Sequence, residues 1–139
     1  MDKTSIMQIR VAASDTEFQG YISTPRYFEW FSKARFEFYR EFGGFTLDTD
    51  GTPVMDGRRV AAVLKSTTCK FVHPGRFDDL LELTTRVSLV NGKVLTFEHT
   101  LVNLSRWRQL VAEGETSIMF LDPDTKTVVE IPEGLKGER

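Results

Sequence analysis

The hydrophobic positions of this chain change period along its length, and each change marks an element. Residues 3–12 alternate, with Met7, Ile9 and Val11 on one face against Ile6, Gln8, Arg10 and Ala12 on the other, which predicts a strand. A polar stretch from Ser14 to Gly20 follows, and Gly20 permits a sharp turn through positive φ. From Thr24 the period becomes helical: Tyr27, Phe31, Ala34, Phe38 and Phe42 share one face. Phe28 and Trp30 widen that stripe, so the helix is expected to be largely enclosed. Thr24 reads as its N-cap, Pro25 as its first residue and Gly43-Gly44 as its stop.

After a loop over 46–58, rich in Asp, Gly and Pro, the period returns to two. Strands are predicted over 59–72, 80–90, 94–103 and 107–121, with a short one over 128–131. Leu81, Leu83, Thr85, Val87 and Leu89 share a face in the second of these, and Leu95, Phe97, His99 and Leu101 in the third. In the fourth the shared face is Leu110, Ala112, Gly114, Thr116, Ile118 and Phe120. Asn91-Gly92 predicts a tight hairpin of type I′. The order of strand, long helix and antiparallel meander predicts an α+β fold, one domain over 1–139, with a sheet curled around the helix. A charged tail is expected to be loose from 133. One sheet of this size cannot cover a helix on every side, so at least a homodimer is expected.

Composition narrows the function classes. Hydrophobic residues are 40% and charged residues 27%, an ordinary globular balance that excludes a disordered or collagen-like chain. The longest aliphatic run, Val60 to Leu64, falls far short of the ~20 apolar residues of a membrane span. The first twenty residues carry no secretory pattern. A net charge of −2 argues against a nucleic-acid partner. A single cysteine, Cys69, makes no internal disulfide, and with two histidines it cannot complete a Cys/His zinc quartet. No metal site is expected, and the location is expected to be cytoplasmic. Cys69 reads as a buried inert thiol, and His73 and His99 as hydrogen-bonded structural residues.

The chemistry concentrates in Asp15-Thr16-Glu17-Phe18-Gln19-Gly20, directly ahead of the helix. A helix start offers unpaired N–H groups and partial positive charge, which suit a developing oxyanion. A carboxylate beside it supplies a base or nucleophile, so one short stretch holds both requirements of acyl transfer. Acids in this position also serve as caps and dipole partners.

This segment resembles the signature of the 4-hydroxybenzoyl-CoA thioesterase family of hotdog-fold proteins. That pattern reads Asp-Thr-Asp, two residues, Gly, commonly Asn-Tyr, then an aromatic-rich helix containing Ala-Arg. Here it reads Asp15-Thr16-Glu17, Gly20, Pro25-Arg26-Tyr27, Trp30 and Ala34-Arg35. Cys69 to Pro74, Asp78-Asp79-Leu80, Ala112 to Thr116 and Ile131-Pro132-Glu133 extend the resemblance over roughly residues 5–135. It implies a hotdog, a long helix wrapped by a curved antiparallel sheet of about five to six strands. It also implies dimers or tetramers with sites at the dimer interface, and acyl-CoA hydrolysis with no metal and no organic cofactor, coenzyme A being part of the substrate.

Residue by residue, the resemblance places the general base or nucleophile at Glu17, one methylene longer than the usual Asp, with Asp15 in reserve. Backbone amides at Ser23 and Thr24 match the oxyanion donors. Tyr21, Arg26, Tyr27 and Arg35 are carried over as substrate contacts, Arg35 reading equally as structural. Lys93 is carried over as a contact for the phosphates of coenzyme A, with Arg58, Arg59 and Arg76 as weaker counterparts. Two other readings accompany the acyl-CoA thioesterase: a thioesterase for an acyl group on an acyl carrier protein, and a non-catalytic acyl-CoA-binding module.

Overall fold

The computed structural model describes residues 3–136. Its elements are β1 (Thr4–Arg10), α1 (Thr24–Phe42), β2 (Thr46–Leu47), β3 (Pro53–Met55), β4 (Arg58–Arg59), β5 (Ala61–Phe71), β6 (Leu80–Asn91), β7 (Val94–Asn103), β8 (Gln109–Leu121) and β9 (Val128–Val129). The main sheet runs β1-β6-β7-β8-β5, with β9 added to the end of β8. Its pairings are all antiparallel. The helix lies across one face of this six-stranded sheet, which is the hotdog arrangement. The loop expected over 46–58 forms a small three-stranded sheet, β2-β3-β4.

Alternation decides what faces the helix. Leu95, Phe97, His99 and Leu101 on β7, and Ala112, Thr116, Ile118 and Phe120 on β8, are buried together. From α1 come Tyr27, Trp30, Phe31, Ala34, Phe38 and Tyr39. Phe31 stacks on the His99 ring with centroids 4.5 Å apart and planes 6° apart. It also fills the space that a side chain on Gly114 would need: a Cβ there would sit 2.4 Å from the Phe31 ring. The opposite side of α1 carries Glu29, Lys33, Glu37, Arg40 and Glu41 in solvent, so one protomer encloses the helix on one side rather than all round.

Four details differ from the pattern of the sequence. Leu89 is 56% exposed, because a register shift between Val87 and Leu89 turns the end of β6 over. A second shift, opposite Leu101 and Val102, buries Val111 as well as Ala112. The hairpin loop is Gly92-Lys93, with positive φ at Gly92 only, so it follows the Gly-first arrangement of a II′ turn rather than I′. The expected loose tail does not begin at 133: Glu133–Leu135 is a 3-10 turn and Leu135 is fully buried. Residues 137–139 of that tail lie outside the described residues.

One polar group sits at the centre of the apolar layer. His99 is fully buried, with Thr85 Oγ1 2.9 Å from Nδ1 and Thr116 Oγ1 3.1 Å from Nε2. Burial, aided by the nearby Arg35 charge, pushes its pKa down to about 3. The ring is therefore neutral when folded and protonates near its ordinary value when unfolded, so the unfolded chain binds the extra proton as pH falls. This contribution to stability is full above pH ~6.5 and is lost progressively toward pH ~3. Urea unfolding at pH 7.5 and 5.0 should show wild type losing about 2 kcal/mol more than His99→Gln between the two conditions. Equal losses would mean that His99 is not held neutral.

Candidate active site

The segment between β1 and α1 folds as a closed antiparallel loop. A 3-10 turn at Ala13–Asp15 leads in, Thr16 bridges Ile22, and the Glu17 N–H donates to the Tyr21 carbonyl at 2.9 Å. The tip, Phe18–Gly20, closes through the Gly20 N–H donating to the Glu17 carbonyl at 2.9 Å. Gln19 and Gly20 both take positive φ there, 64° and 76°. The ladder thus sets Glu17 opposite Tyr21, three residues ahead of the helix. The Glu17 carboxylate is exposed and makes no hydrogen bond or ion pair among the described residues.

The ladder also settles how the helix starts. Ser23 is the N-cap, not Thr24, because the Ser23 N–H donates to the Asp15 carbonyl at 2.9 Å and holds Ser23 extended. That bond removes Ser23 from the expected pair of oxyanion donors, since its amide is already occupied. Pro25 has no N–H to give. The Thr24 amide has no acceptor among the described residues and stands at the positive end of a 19-residue helix.

The sequence model of the thioesterase-like superfamily matches residues 11–138. The chain belongs to the thioesterase-like superfamily.

Among proteins, the acyl-CoA thioester hydrolase YbgC of Escherichia coli is 26% identical over 130 residues, covering 94% of this chain and 91% of its own. A probable thioesterase from Bartonella henselae superposes with a TM-score of 0.77 at 24% identity, over 94% of this chain and all of its own. A Staphylococcus aureus protein solved in complex with CoA gives 0.80 at 14% identity, over 97% of this chain and 80% of its own. These two likenesses concern the fold.

The remaining residues singled out by the family pattern are placed unequally. Asp15 is committed to structure: its Oδ2 accepts from the Ala12 N–H at 2.8 Å and its Oδ1 lies 3.3 Å from Arg26 Nε. Arg26 is committed too, bonding Glu29 at 2.8 Å and the Ser14 carbonyl at 3.0 Å, so its guanidinium braces the loop rather than facing an open pocket. Tyr27 is buried core, edge-on to Trp30 and Phe71, and burial raises its hydroxyl pKa. Arg35 is half-buried with its Nε unsatisfied, beside the equally unsatisfied Tyr39 hydroxyl. Lys93 lies at the far end of the sheet. The site loop contacts the Arg76–Asp79 turn where β6 begins, and twelve residues of β6 at ~3.3 Å each intervene. Within one protomer Lys93 cannot reach a ligand at Glu17.

Arg58 and Arg59 are also removed from the site. Arg58 holds the Glu130 carbonyl, and Arg59 holds Asp48 and Asp124. A groove of about 360 Å³ on the outer face of the sheet is lined by Thr68, Lys70, Glu98, Glu113 and Glu115, a charge balance that repels phosphates. The Cys69 thiol is half-buried and pushed up to about 11, which keeps it protonated and inert at neutral pH. No three metal-ligating side chains converge among the described residues, and no described helix is long and apolar enough to cross a membrane.

Asp15 should therefore register in stability. Asp15→Ala strands the Ala12 amide and loosens the turn, so urea unfolding should show a loss of about 1–2 kcal/mol. Most of that belongs to the cap bond, since the partly exposed pair with Arg26 adds little. An unchanged midpoint would free Asp15 for another role.

Proposed function

We propose that the protein is an acyl-CoA thioesterase, working as one domain over residues 1–139, in which Glu17 is the carboxylate that drives hydrolysis. The observation that carries this reading is the Glu17 carboxylate standing free on the turn that leads into the helix start. Asp15 in the loop and Arg26 in the first turn of α1 are bound to each other and to the backbone. The hydrolase named among the relatives supports the substrate class.

In the proposed reaction a water attacks the thioester carbonyl carbon while Glu17 takes its proton. The carbonyl oxygen gains negative charge, and the Thr24 N–H at the helix start donates to it. The tetrahedral intermediate collapses, the C–S bond breaks, and the proton passes to the departing sulfur, releasing coenzyme A and a carboxylic acid. Direct attack by Glu17 gives the same products through a mixed anhydride that water then opens. Positioned acid–base groups typically contribute 10²–10⁴-fold. Glu17→Gln should therefore lower kcat by at least about 100-fold on a panel of acyl-CoAs, with the melting temperature unchanged. Undiminished thiol release from Glu17→Gln would remove that residue from its role.

We also propose that the working unit is a homodimer formed along β5. Among the described residues this 11-residue strand pairs on one side only, with β8, and it exposes Val63, Leu64 and Phe71. A long apolar sheet edge of this kind is a template for another strand, and a second copy offers the matching one. Light scattering should give about 32 kDa, twice the 15.9 kDa of the chain. The double variant Val63→Lys/Leu64→Lys should shift it toward monomer, and a wild-type monomer would refute the arrangement.

A further inference from the structure

The turn that carries Glu17 is held from outside by one side chain that the pattern of the sequence does not connect to it. Arg76, in the link between β5 and β6, donates from its guanidinium to the Tyr21 hydroxyl at 2.9 Å. The same guanidinium lies over the Tyr21 ring, 4.6 Å from its centroid. Tyr21 is the residue whose carbonyl accepts the Glu17 N–H. Backbone bonds run in parallel: Phe77 N–H to the Gly20 carbonyl at 2.8 Å, and Ile22 N–H to the Gly75 carbonyl at 3.1 Å.

Arg76 is itself anchored. Its own N–H donates to Asp79 Oδ2 at 3.0 Å, and Asp79, only 7% exposed, also accepts from Asn103 Nδ2 at 2.8 Å on β7. A continuous series of contacts therefore leads from the rigid sheet through Asp79, Arg76 and Tyr21 to Glu17. Arg26, Arg40, Arg59, Arg86 and Arg106 each pair with a carboxylate, whereas Arg76 has no ion-pair partner among the described residues. Among the described residues its guanidinium hydrogen-bonds Tyr21 alone.

We propose that Arg76 is a positioning residue for Glu17, acting through Tyr21. The proposal rests on the reading of Glu17 given above. The Glu17 side chain has no partner among the described residues, so its aim follows from the backbone that carries it. That backbone includes Gln19 in the left-handed region, a conformation that relaxes unless held. A displacement of about 1 Å at a reacting group can lower a rate ~100-fold. The clamp acts on where the carboxylate points, and so on kcat.

Two measurements test this. In steady-state hydrolysis of an acyl-CoA that wild type turns over, Arg76→Met should lower kcat by about 10–100-fold with KM within about twofold. Tyr21→Phe should lower kcat less, because the ring contact survives. Arg76→Met/Tyr21→Phe should be no slower than Arg76→Met alone, since the two act as one unit. Arg76→Lys should restore part of the rate by keeping the charge over the ring. A raised KM at unchanged kcat would overturn the proposal and make Arg76 a ligand contact instead. Additive effects of the two substitutions would overturn it as well.

The second measurement does not depend on activity. Hydrogen exchange at the Glu17 and Gly20 amides should quicken about tenfold in Arg76→Met, with amides of β7 unchanged. Unchanged exchange at Glu17 and Gly20 would refute the clamp itself. A wild-type protein inert toward every acyl-CoA, but with the exchange response intact, would sink the proposed function and leave the clamp standing.

Discussion

Phe31 lies flat on His99 and over the bare backbone of Gly114, and the rest of the chain is arranged around that contact. A helix can approach a sheet this closely only where the sheet withholds a side chain. Gly114 withholds it at the middle of β8, beneath the first half of α1. The contact fixes the height and rotation of the helix, and with them the point at which its first amide emerges. Phe38 on Phe97, and Tyr39 between Phe97 and Phe120, repeat the arrangement toward the other end. Aromatic pairs of this geometry add directional preference to the burial of apolar area, so the helix has one seating rather than several.

The candidate site inherits its geometry from this seating, but its parts are held by different means. The helix start is fixed by packing. The Glu17 turn has little apolar anchorage: Phe18 is 83% exposed and Gln19 is strained. Hydrogen bonds hold it instead, to Tyr21 within the loop and to the Gly75–Asp79 segment outside it. The site therefore combines a rigid electrostatic element with a carboxylate on a softer mount, and polar contacts set how soft that mount is.

Much of the fold was legible because burial acts on period. The helical stripe from Tyr27 to Phe38 and the alternation of β7 translate directly into the faces seen. What was not legible came from register. A shift between Val87 and Leu89 exposes a leucine that simple alternation places inside, and another turns Val111 inward. Such shifts depend on pairing partners, which local pattern does not encode. At the site, the sequence identified the segment and the order of its groups. It did not show that Asp15 and Arg26 satisfy each other, nor that the Ser23 amide is occupied. It also did not show that Lys93 lies a sheet length away. Those are facts about which groups meet, and Arg76, remote in sequence from Tyr21, illustrates how far apart such groups can be.

The hydroxyls around His99 extend beyond it. Thr116 Oγ1 lies 3.3 Å from Thr67 Oγ1 on β5, so Thr85, His99, Thr116 and Thr67 form one transverse file across four strands. Each hydroxyl has a single hydrogen, and a neutral imidazole carries one N–H and one lone pair. The file consequently has two proton orders, all pointing toward β6 or all toward β5. Choosing which ring nitrogen bears the hydrogen chooses whether Thr67 donates or accepts inside the file. The interior of the sheet and its outermost strand thus share one binary variable, set by a ring that solvent never touches.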